Sequence, residues 1–274
     1  MILLALLAQI GPNPSSTAPP VPPEIAQRAM PVEAVAAQPG DLAGCLADAA
    51  GDPLSAVERA TAWRSRAEGR HKAEAGHCLG VVLSALGRWQ PALIALAEAR
   101  DALPASERAY RARLGAMAGN AAIAGGNADA ALAALDTAMG DAAGNADAAL
   151  IGDIALDRAR ALVALGRPAE AEAPLAIARQ VMPKSAQAWL LSATLSRRLG
   201  KLADAQAQIE KSGELLPTSP EIGLEAGVIA VLSGRDDAAR KSWQSVIDAA
   251  PSSAAATTAK TYIAQLGQPT KAGS

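Results

Sequence analysis

The apolar positions between Ala186 and Ser219 predict two consecutive helices. In the first helix, apolar side chains recur at steps of three and four residues, which places them on one face; they are Trp189, Leu190, Ala193, Leu195 and Leu199. In the second, from about Leu202 to Leu216, the residues expected to point inward are Ala205, Ile209 and Leu215. The pattern therefore indicates a helix–turn–helix unit.

Polar and special residues punctuate this unit where helices start and stop. Ser185 precedes the first helix, where a hydroxyl can cap a free backbone N–H. Gly200 follows it, where a left-handed residue ends a helix without a Cβ penalty. Pro217 stops the second helix, because proline lacks the N–H that the helix needs. The sequence Ser219-Pro220-Glu221 then starts another helix with a cap, a first-turn proline and an acid near the positive end.

The same unit returns at a fixed period. Four sets of residues keep a step of 34: Gly166, Gly200 and Gly234; Pro183, Pro217 and Pro251; Ala171, Ala205 and Ala239; and Ala159, Ala193 and Gly227. A constant period of this length predicts a repeat architecture. One helix pair cannot bury its apolar stripe alone, so neighbouring pairs must stack. The small residues mark where two helices approach too closely for a larger side chain.

Less regular copies extend the pattern toward both ends of the chain. We place approximate repeats at 37–70, 73–106, 112–145, 152–185, 186–219 and 220–253, with a capping helix at 253–266 that Ser252 starts and Gly267 ends. The second helix of the copy at 112–145 is rich in Ala and Gly and lacks the proline, so we expect it to be the loosest part. The repeats lie within residues 24–267.

These sets of equivalent residues resemble the repeat pattern of the tetratricopeptide repeat (TPR) family, of bacterial type. The matching residues are Trp189, Ala193, Gly200, Ala205 and Pro217 in one copy, and Gly227, Gly234, Ala239, Trp243 and Pro251 in the next. The resemblance covers most of the chain and implies an all-α, right-handed α-solenoid of about five to six antiparallel helix pairs. It implies a scaffold for protein contacts and does not specify the partner.

In such a solenoid the first helices line the concave side, so the resemblance also predicts a peptide-binding groove. Its residues would be Leu156, Arg160, Val163, Leu190, Thr194, Arg197, Arg198, Leu224 and Val228. Aliphatic surface beside arginines suits an extended or helical segment with apolar side chains and an acidic group. The alternative is that the arginines are ordinary solvated charges and the apolar residues pack between repeats. The Lys/Asn carboxylate clamp of some family members is absent, since Ala116 stands where the Lys beside Asn120 would be.

The two cysteines, Cys45 and Cys78, fall on the family pattern in columns that can reach one ligand carboxylate. The resemblance therefore implies that their sulfur atoms could be close enough for a disulfide, which would stabilise the fold by about 2–4 kcal/mol. Such a bond would form only in an oxidising compartment. The alternative is two small buried thiols.

The N-terminal segment favours export without deciding it. Met1 to Ile10 is a short apolar run that fits the apolar part of a signal peptide, and a Pro-rich linker follows to residue 23. No Lys or Arg precedes the run and no Ala-x-Ala site follows it. Ten residues are too few to cross a bilayer. We expect a periplasmic protein, with a cytoplasmic one as the alternative, and a disordered tail at 268–274.

The sequence gives little sign of catalysis, cofactors or nucleic-acid binding. His71, His77 and Cys78 lie close together, but adjacent residues of a helix point about 100° apart and cannot easily share a metal ion. A formal net charge of −2 provides no basic field for nucleic acid. We therefore predict a non-enzymatic scaffold for a peptide or protein partner. The alternatives are a structural or self-associating accessory subunit of a cell-envelope assembly and, more remotely, an enzyme on a helical scaffold.

Overall fold

Thirteen α-helices and no strand make up the part of the chain that the structure, a computed structural model, describes: residues 42–144 and 147–266. All of these residues belong to one compact unit, Pro39–Ser274. The predicted signal peptide, the Pro-rich linker, Gly267 and the tail lie outside the described residues, so those expectations remain predictions.

The helices follow one another with short connections. They are α1 (Leu42–Gly51), α2 (Pro53–Arg66), α3 (Gly69–Ala85), α4 (Trp89–Asp101), α5 (Arg108–Ala124), α6 (Ala128–Ala142), α7 (Ala148–Ala164), α8 (Glu172–Val181), α9 (Ala186–Arg198), α10 (Leu202–Leu215), α11 (Pro220–Leu232), α12 (Asp236–Ala249) and α13 (Ala254–Gln265). A 3₁₀ turn, Pro168–Ala171, precedes α8. We call the odd-numbered helices α1 to α11 first helices and their even-numbered partners second helices.

The residues predicted to start and end α9 do so in the structure. The Ser185 hydroxyl caps α9 by accepting a hydrogen bond from the backbone N–H of Ala188 at 3.3 Å. After α9, Gly200 has a φ of +74°, and the Lys201 N–H donates to the Ser196 carbonyl at 2.8 Å. This geometry ends the helix and reverses the chain. The last helix starts one residue later than predicted, because Ser253 rather than Ser252 provides its cap.

The helices stack as an all-α solenoid. Each helix packs on the next, and several first helices also touch the following first helix: α1 on α3, α3 on α5, α5 on α7 and α9 on α11. The α11 helix likewise touches α13. Since the first helices lie close to one another, they form the inner row of the stack, as in other helical solenoids.

Small residues on the first helices allow the two helices of a pair to approach closely, as the sequence predicted. A Cβ at Gly227 would overlap the Trp243 indole of the paired second helix, and one at Gly80 would overlap Leu96. Trp243 is 2% exposed, and its Nε1 donates to the Leu224 carbonyl at 3.1 Å, so its ring has little freedom to move. In these pairs a large side chain of the second helix thus fills the space that a glycine of the first helix leaves.

The expectation that α6 would be the loosest part is wrong. Its residues Ala131, Leu135, Ala138 and Ala142 are fully buried. The α5–α6 contact is close because α5 presents a glycine, Gly115, to α6; a Cβ there would lie 2.9 Å from that of Ala138. Low helix propensity is thus offset by the close approach that small residues allow.

The fourth pair, α7 and α8, is the irregular one. Its second helix begins as the 3₁₀ turn, and Pro174 lies within the first turn of α8. Proline there cannot donate a helical hydrogen bond, which fits the tighter turn before it. On the outer side a cleft of about 470 Å³ opens between α8, α9 and α10, lined among others by Arg179, Ser192 and Gln208.

We predict that Gly227→Ala destabilises the fold by about 1–3 kcal/mol relative to Gly140→Ala, because the added methyl forces the buried Trp243 ring to move. Gly140 is the matched control: it is also helical, but a Cβ there meets no atom within 4 Å. Both changes gain the same helix propensity. Urea denaturation followed by circular dichroism measures the difference, and equal midpoints for the two variants would contradict the role given to Gly227.

Candidate binding face

The predicted groove residues lie on the first helices α7, α9 and α11. In α9, Ser192, Leu195 and Ser196 line the outer cleft with α8 and α10. Leu190 and Thr194 are four residues apart on the opposite side of the helix. We call this opposite side, with the corresponding residues of the other first helices, the inner face.

The nine predicted groove residues differ in how far a ligand could reach them. Leu156 and Arg197 are buried, at 5% and 6% exposure. Arg160 and Arg198 are exposed, and the remaining five are half-buried: Val163, Leu190, Thr194, Leu224 and Val228. Seven of the nine therefore present some surface to solvent.

Arg197 links two first helices within the protein. Its Nε donates to Glu225 Oε1 at 2.6 Å and its Nη2 donates to Oε2 at 3.3 Å. The two side chains are 3% and 13% exposed. Removing either partner would leave a buried charge, so this pair fixes α9 against α11. The guanidinium is therefore not available to a ligand in this arrangement.

Arg160 is also paired, although it is exposed. It donates from Nη1 to Asp157 one turn away on α7, and the Asn120 side chain of α5 hydrogen-bonds the same carboxylate. Burial raises the pKa of Asp157, and the nearby Arg160 opposes that rise. The cluster joins α5 to α7 across the inner face.

A second polar cluster joins α3 to α5. His77 Nδ1 and the Tyr110 hydroxyl are 3.0 Å apart, and the Arg70 guanidinium lies 5.6 Å from the Tyr110 ring centre. Arg70 also binds Glu107, with Nη1 at 2.6 Å from Oε2. Burial raises the pKa of Tyr110 to about 12, so the phenol is un-ionised at neutral pH. Burial, followed by the charge of Arg113, lowers the pKa of His77.

Arg198 differs from these arginines. Within residues 42–144 and 147–266, no hydrogen bond, ion pair or ring contact joins its guanidinium to another side chain. It lies at the end of α9, with half-buried Leu232 at the end of the next first helix. The inner face therefore offers one unpaired cation beside aliphatic side chains.

The structure confirms the disulfide that the family resemblance implied. Cys45 of α1 and Cys78 of α3 are bonded, with their Cα atoms 6.2 Å apart. No residue of α1 is fully buried, so the bond is a main attachment of this helix to the stack. Because Cys78 is oxidised, its thiol can act neither as a nucleophile nor as a metal ligand. Among the described residues no group of His, Cys, Asp and Glu could hold a metal ion.

Solved structures with a similar arrangement of helices are TPR proteins. YrrB, described as a TPR protein with an unusual peptide-binding site, superposes with a TM-score of 0.54 at 21% identity, over 69% of this chain and 92% of its own. TTC0263, a thermophilic TPR protein from Thermus thermophilus, gives 0.51 at 22% identity, over 70% of this chain and 97% of its own. The chain has the tetratricopeptide repeat fold.

MamA from Desulfovibrio magneticus shares this TPR fold, with a TM-score of 0.57 at 15% identity, over 67% of this chain and 97% of its own. No protein-family model matches the sequence, and no curated protein matches it. At these identities the likeness establishes the TPR fold and leaves the ligand open. None of the described helices is both long and apolar enough to cross a membrane.

Sequence reasoning missed the polar links between neighbouring first helices of the TPR stack. Glu225 was not considered as a partner for Arg197, and the pair of His77 with Tyr110 was not foreseen. The available signal was an ionisable residue on one first helix with a possible partner on the next. That signal is weak, because exposed charges occupy similar positions elsewhere in the chain.

We predict that reducing the disulfide, or the change Cys45→Ser, destabilises the N-terminal pair of helices by about 2–4 kcal/mol, since the bond closes a long loop. Urea denaturation with and without dithiothreitol measures the loss. The variant Cys45→Ser/Cys78→Ser is the control and should not respond to reductant. The prediction would be contradicted if dithiothreitol did not change the stability of the wild-type protein.

We also predict that stability falls as the pH drops below the ordinary histidine value of 6.5, because the pKa of His77 is lowered in the folded state. Below that value the unfolded chain binds more protons than the folded one, so the stability present at higher pH is lost. Denaturation at a series of pH values from about 8 to about 5 measures this slope.

His77→Gln should flatten the slope, whatever its effect on stability at pH 8. His71, the other histidine of the chain, is exposed on the first turn of α3 and provides the matched control. If His71→Gln flattens the slope as much as His77→Gln does, burial of His77 is not the cause.

Proposed function

We propose that this TPR-fold protein is a non-enzymatic scaffold that holds a peptide segment or a protein partner on its inner face. The observation that carries the proposal is the combination of half-buried aliphatic side chains on α9 and α11 with the unpaired Arg198. Partly exposed aliphatic surface beside an unpaired cation suits a surface that contacts another protein.

The comparisons support this reading in a general way. Proteins with this fold include one described as having a peptide-binding site, YrrB. Because its identity to this chain is 21%, the likeness concerns the fold, and the binding role here depends on the inner face itself.

We also propose that the protein works in an oxidising compartment such as the periplasm. The bond between Cys45 and Cys78 supports this, because structural disulfides persist where thiols are not kept reduced. The apolar run Met1 to Ile10 agrees with export on sequence grounds.

The test compares two variants that introduce the same side chain on opposite faces. Thr194→Arg places a long charged chain on the inner face, whereas Thr137→Arg places it on the exposed side of the second helix α6. Partners are captured at native expression and identified by mass spectrometry. We expect Thr194→Arg to lose a partner that both Thr137→Arg and the wild type retain.

Light scattering over a range of concentrations distinguishes the structural alternative. A partner kept by Thr194→Arg would place binding elsewhere than on the inner face. If the captured partner is a second copy of the chain, and its size grows with concentration in both variants, the protein is instead a self-associating subunit.

A further inference from the structure

The inner face has two chemically different halves. Along α3, α5 and α7 its arginines are matched within the protein: Arg70 by Glu107, Arg113 by Asp147 at 3.8 Å and Arg160 by Asp157. Matched charges are already neutralised, so a charged ligand gains little by approaching them. This part of the inner face therefore offers mainly links between helices.

Along α9 and α11 the inner face is aliphatic. We define the apolar half by its half-buried residues, which are Leu190, Thr194, Leu224, Val228, Val231 and Leu232, together with the exposed Arg198 at its edge. The one buried ion pair here, Arg197 with Glu225, is satisfied within the protein. The exposed Gln187 and Glu221 lie one turn before Leu190 and Leu224, and the rest of the surface left to a partner is mostly hydrocarbon.

The scarcity of hydrogen-bonding groups on the apolar half decides the conformation of its partner. An extended peptide carries an N–H and a C=O on nearly every residue, and these need partners when they leave water. Of the residues that define the apolar half, Thr194 and Arg198 have side chains that could hydrogen-bond. The backbones of α9 and α11 are occupied by their own helical hydrogen bonds. A helix satisfies its own backbone and needs from this surface mainly apolar contact.

The charge of the partner follows from Arg198. Its guanidinium is exposed and unpaired among the described residues, next to surface that becomes dry once a partner binds. A carboxylate gives a guanidinium paired hydrogen bonds, which strengthen when water is excluded. The exposed acids of the two neighbouring first helices are Asp153, in the second turn of α7, and Glu221, in the first turn of α11, whereas Arg198 is in the last turn of α9.

The geometry points to an amphipathic α-helix of a partner protein, with leucine-sized side chains on one face and acidic side chains along its edge, as the occupant of the apolar half. This inference rests on the proposed scaffold function and adds the conformation and charge of the partner. An acidic side chain of the partner helix pairs with Arg198, and the apolar stripe of that helix lies across α9 and α11. The carboxylate comes from side chains of the helix rather than from its C-terminus.

The experiment measures binding of the full chain to labelled synthetic peptides of about four helical turns by fluorescence anisotropy. Three peptides have amidated C-termini and leucines at helical spacing, and their flanking positions are Glu, Gln or Lys. A fourth peptide has Gln flanks and a free C-terminal carboxylate. We expect the Glu peptide to bind about tenfold more tightly than the Gln peptide, as a charge-assisted hydrogen bond allows. Added salt should reduce this advantage.

Two pairs of variants assign the site. Arg198→Gln should remove the preference for Glu, whereas Arg88→Gln, at an exposed position before α4, should preserve it. Leu232→Asn should weaken all peptides, whereas Leu54→Asn should not, since Leu54 lies on α2 and is 68% exposed. Circular dichroism checks that each variant is folded.

The outcomes separate this inference from the broader proposal. If Leu232→Asn weakens binding but the Glu and Gln peptides bind equally, the inner face holds a partner, and the inference that this partner is an acidic helix is wrong. A preference for the Lys peptide, or for the free C-terminus, also overturns the acidic helix. The inference is equally overturned if a proline placed in the middle of the Glu peptide leaves binding unchanged, because that peptide cannot form the helix. If no peptide binds while Thr194→Arg still loses a native partner, the inference fails and the scaffold function stands.

Discussion

The structure depends on how closely the two helices of each pair approach. At one position of every first helix from α3 to α11 the side chain is absent or is a methyl group: Gly80, Gly119, Ala159, Ala193 and Gly227. On the paired second helix, 16 residues later, stands a large buried side chain: Leu96, Leu135, Leu175, Ile209 and Trp243. Packing at this density tolerates little change in either member.

Close pairing also divides the core. Most buried apolar residues of the described part of the chain fall into five clusters arranged along the sequence, each shared by neighbouring helices. Since no single centre holds the molecule together, contacts between neighbours determine its shape. On the inner face these contacts are partly electrostatic. The buried pair of Arg197 with Glu225 contributes orientation between α9 and α11 rather than much net stability, because both charges lose their water.

Residue spacing was enough to predict the fold, because each structural requirement restricts the residue type at a fixed position of the repeat. The left-handed residue after α9 requires glycine, and the cap before it requires a short polar side chain such as Ser185. The disulfide was accessible through family resemblance, since Cys45 and Cys78 fall in columns that meet in space.

The residues that pair with the charged side chains of the inner face could not be predicted from spacing in the same way. An arginine that binds a ligand and one that binds Glu225 look alike in sequence, and only Arg198 among the three predicted groove arginines is unpaired among the described residues. The 3₁₀ turn before α8 was missed for a related reason. Pro168 and Pro174 were visible, but proline is compatible with a helix start as well as with a distortion.

The disulfide gives the solenoid a direction of unravelling. It ties α1 to α3 and leaves the opposite end, with α12 and α13, held by non-covalent contacts alone among the described residues. In a stack with nearest-neighbour coupling, opening starts at the least-secured terminus and travels inward. We therefore expect the C-terminal helices to open first on heating. A molecule that spans α9 and α11 would arrest the opening close to where it begins, so occupancy of the inner face and resistance to proteolysis at the C-terminal end are coupled.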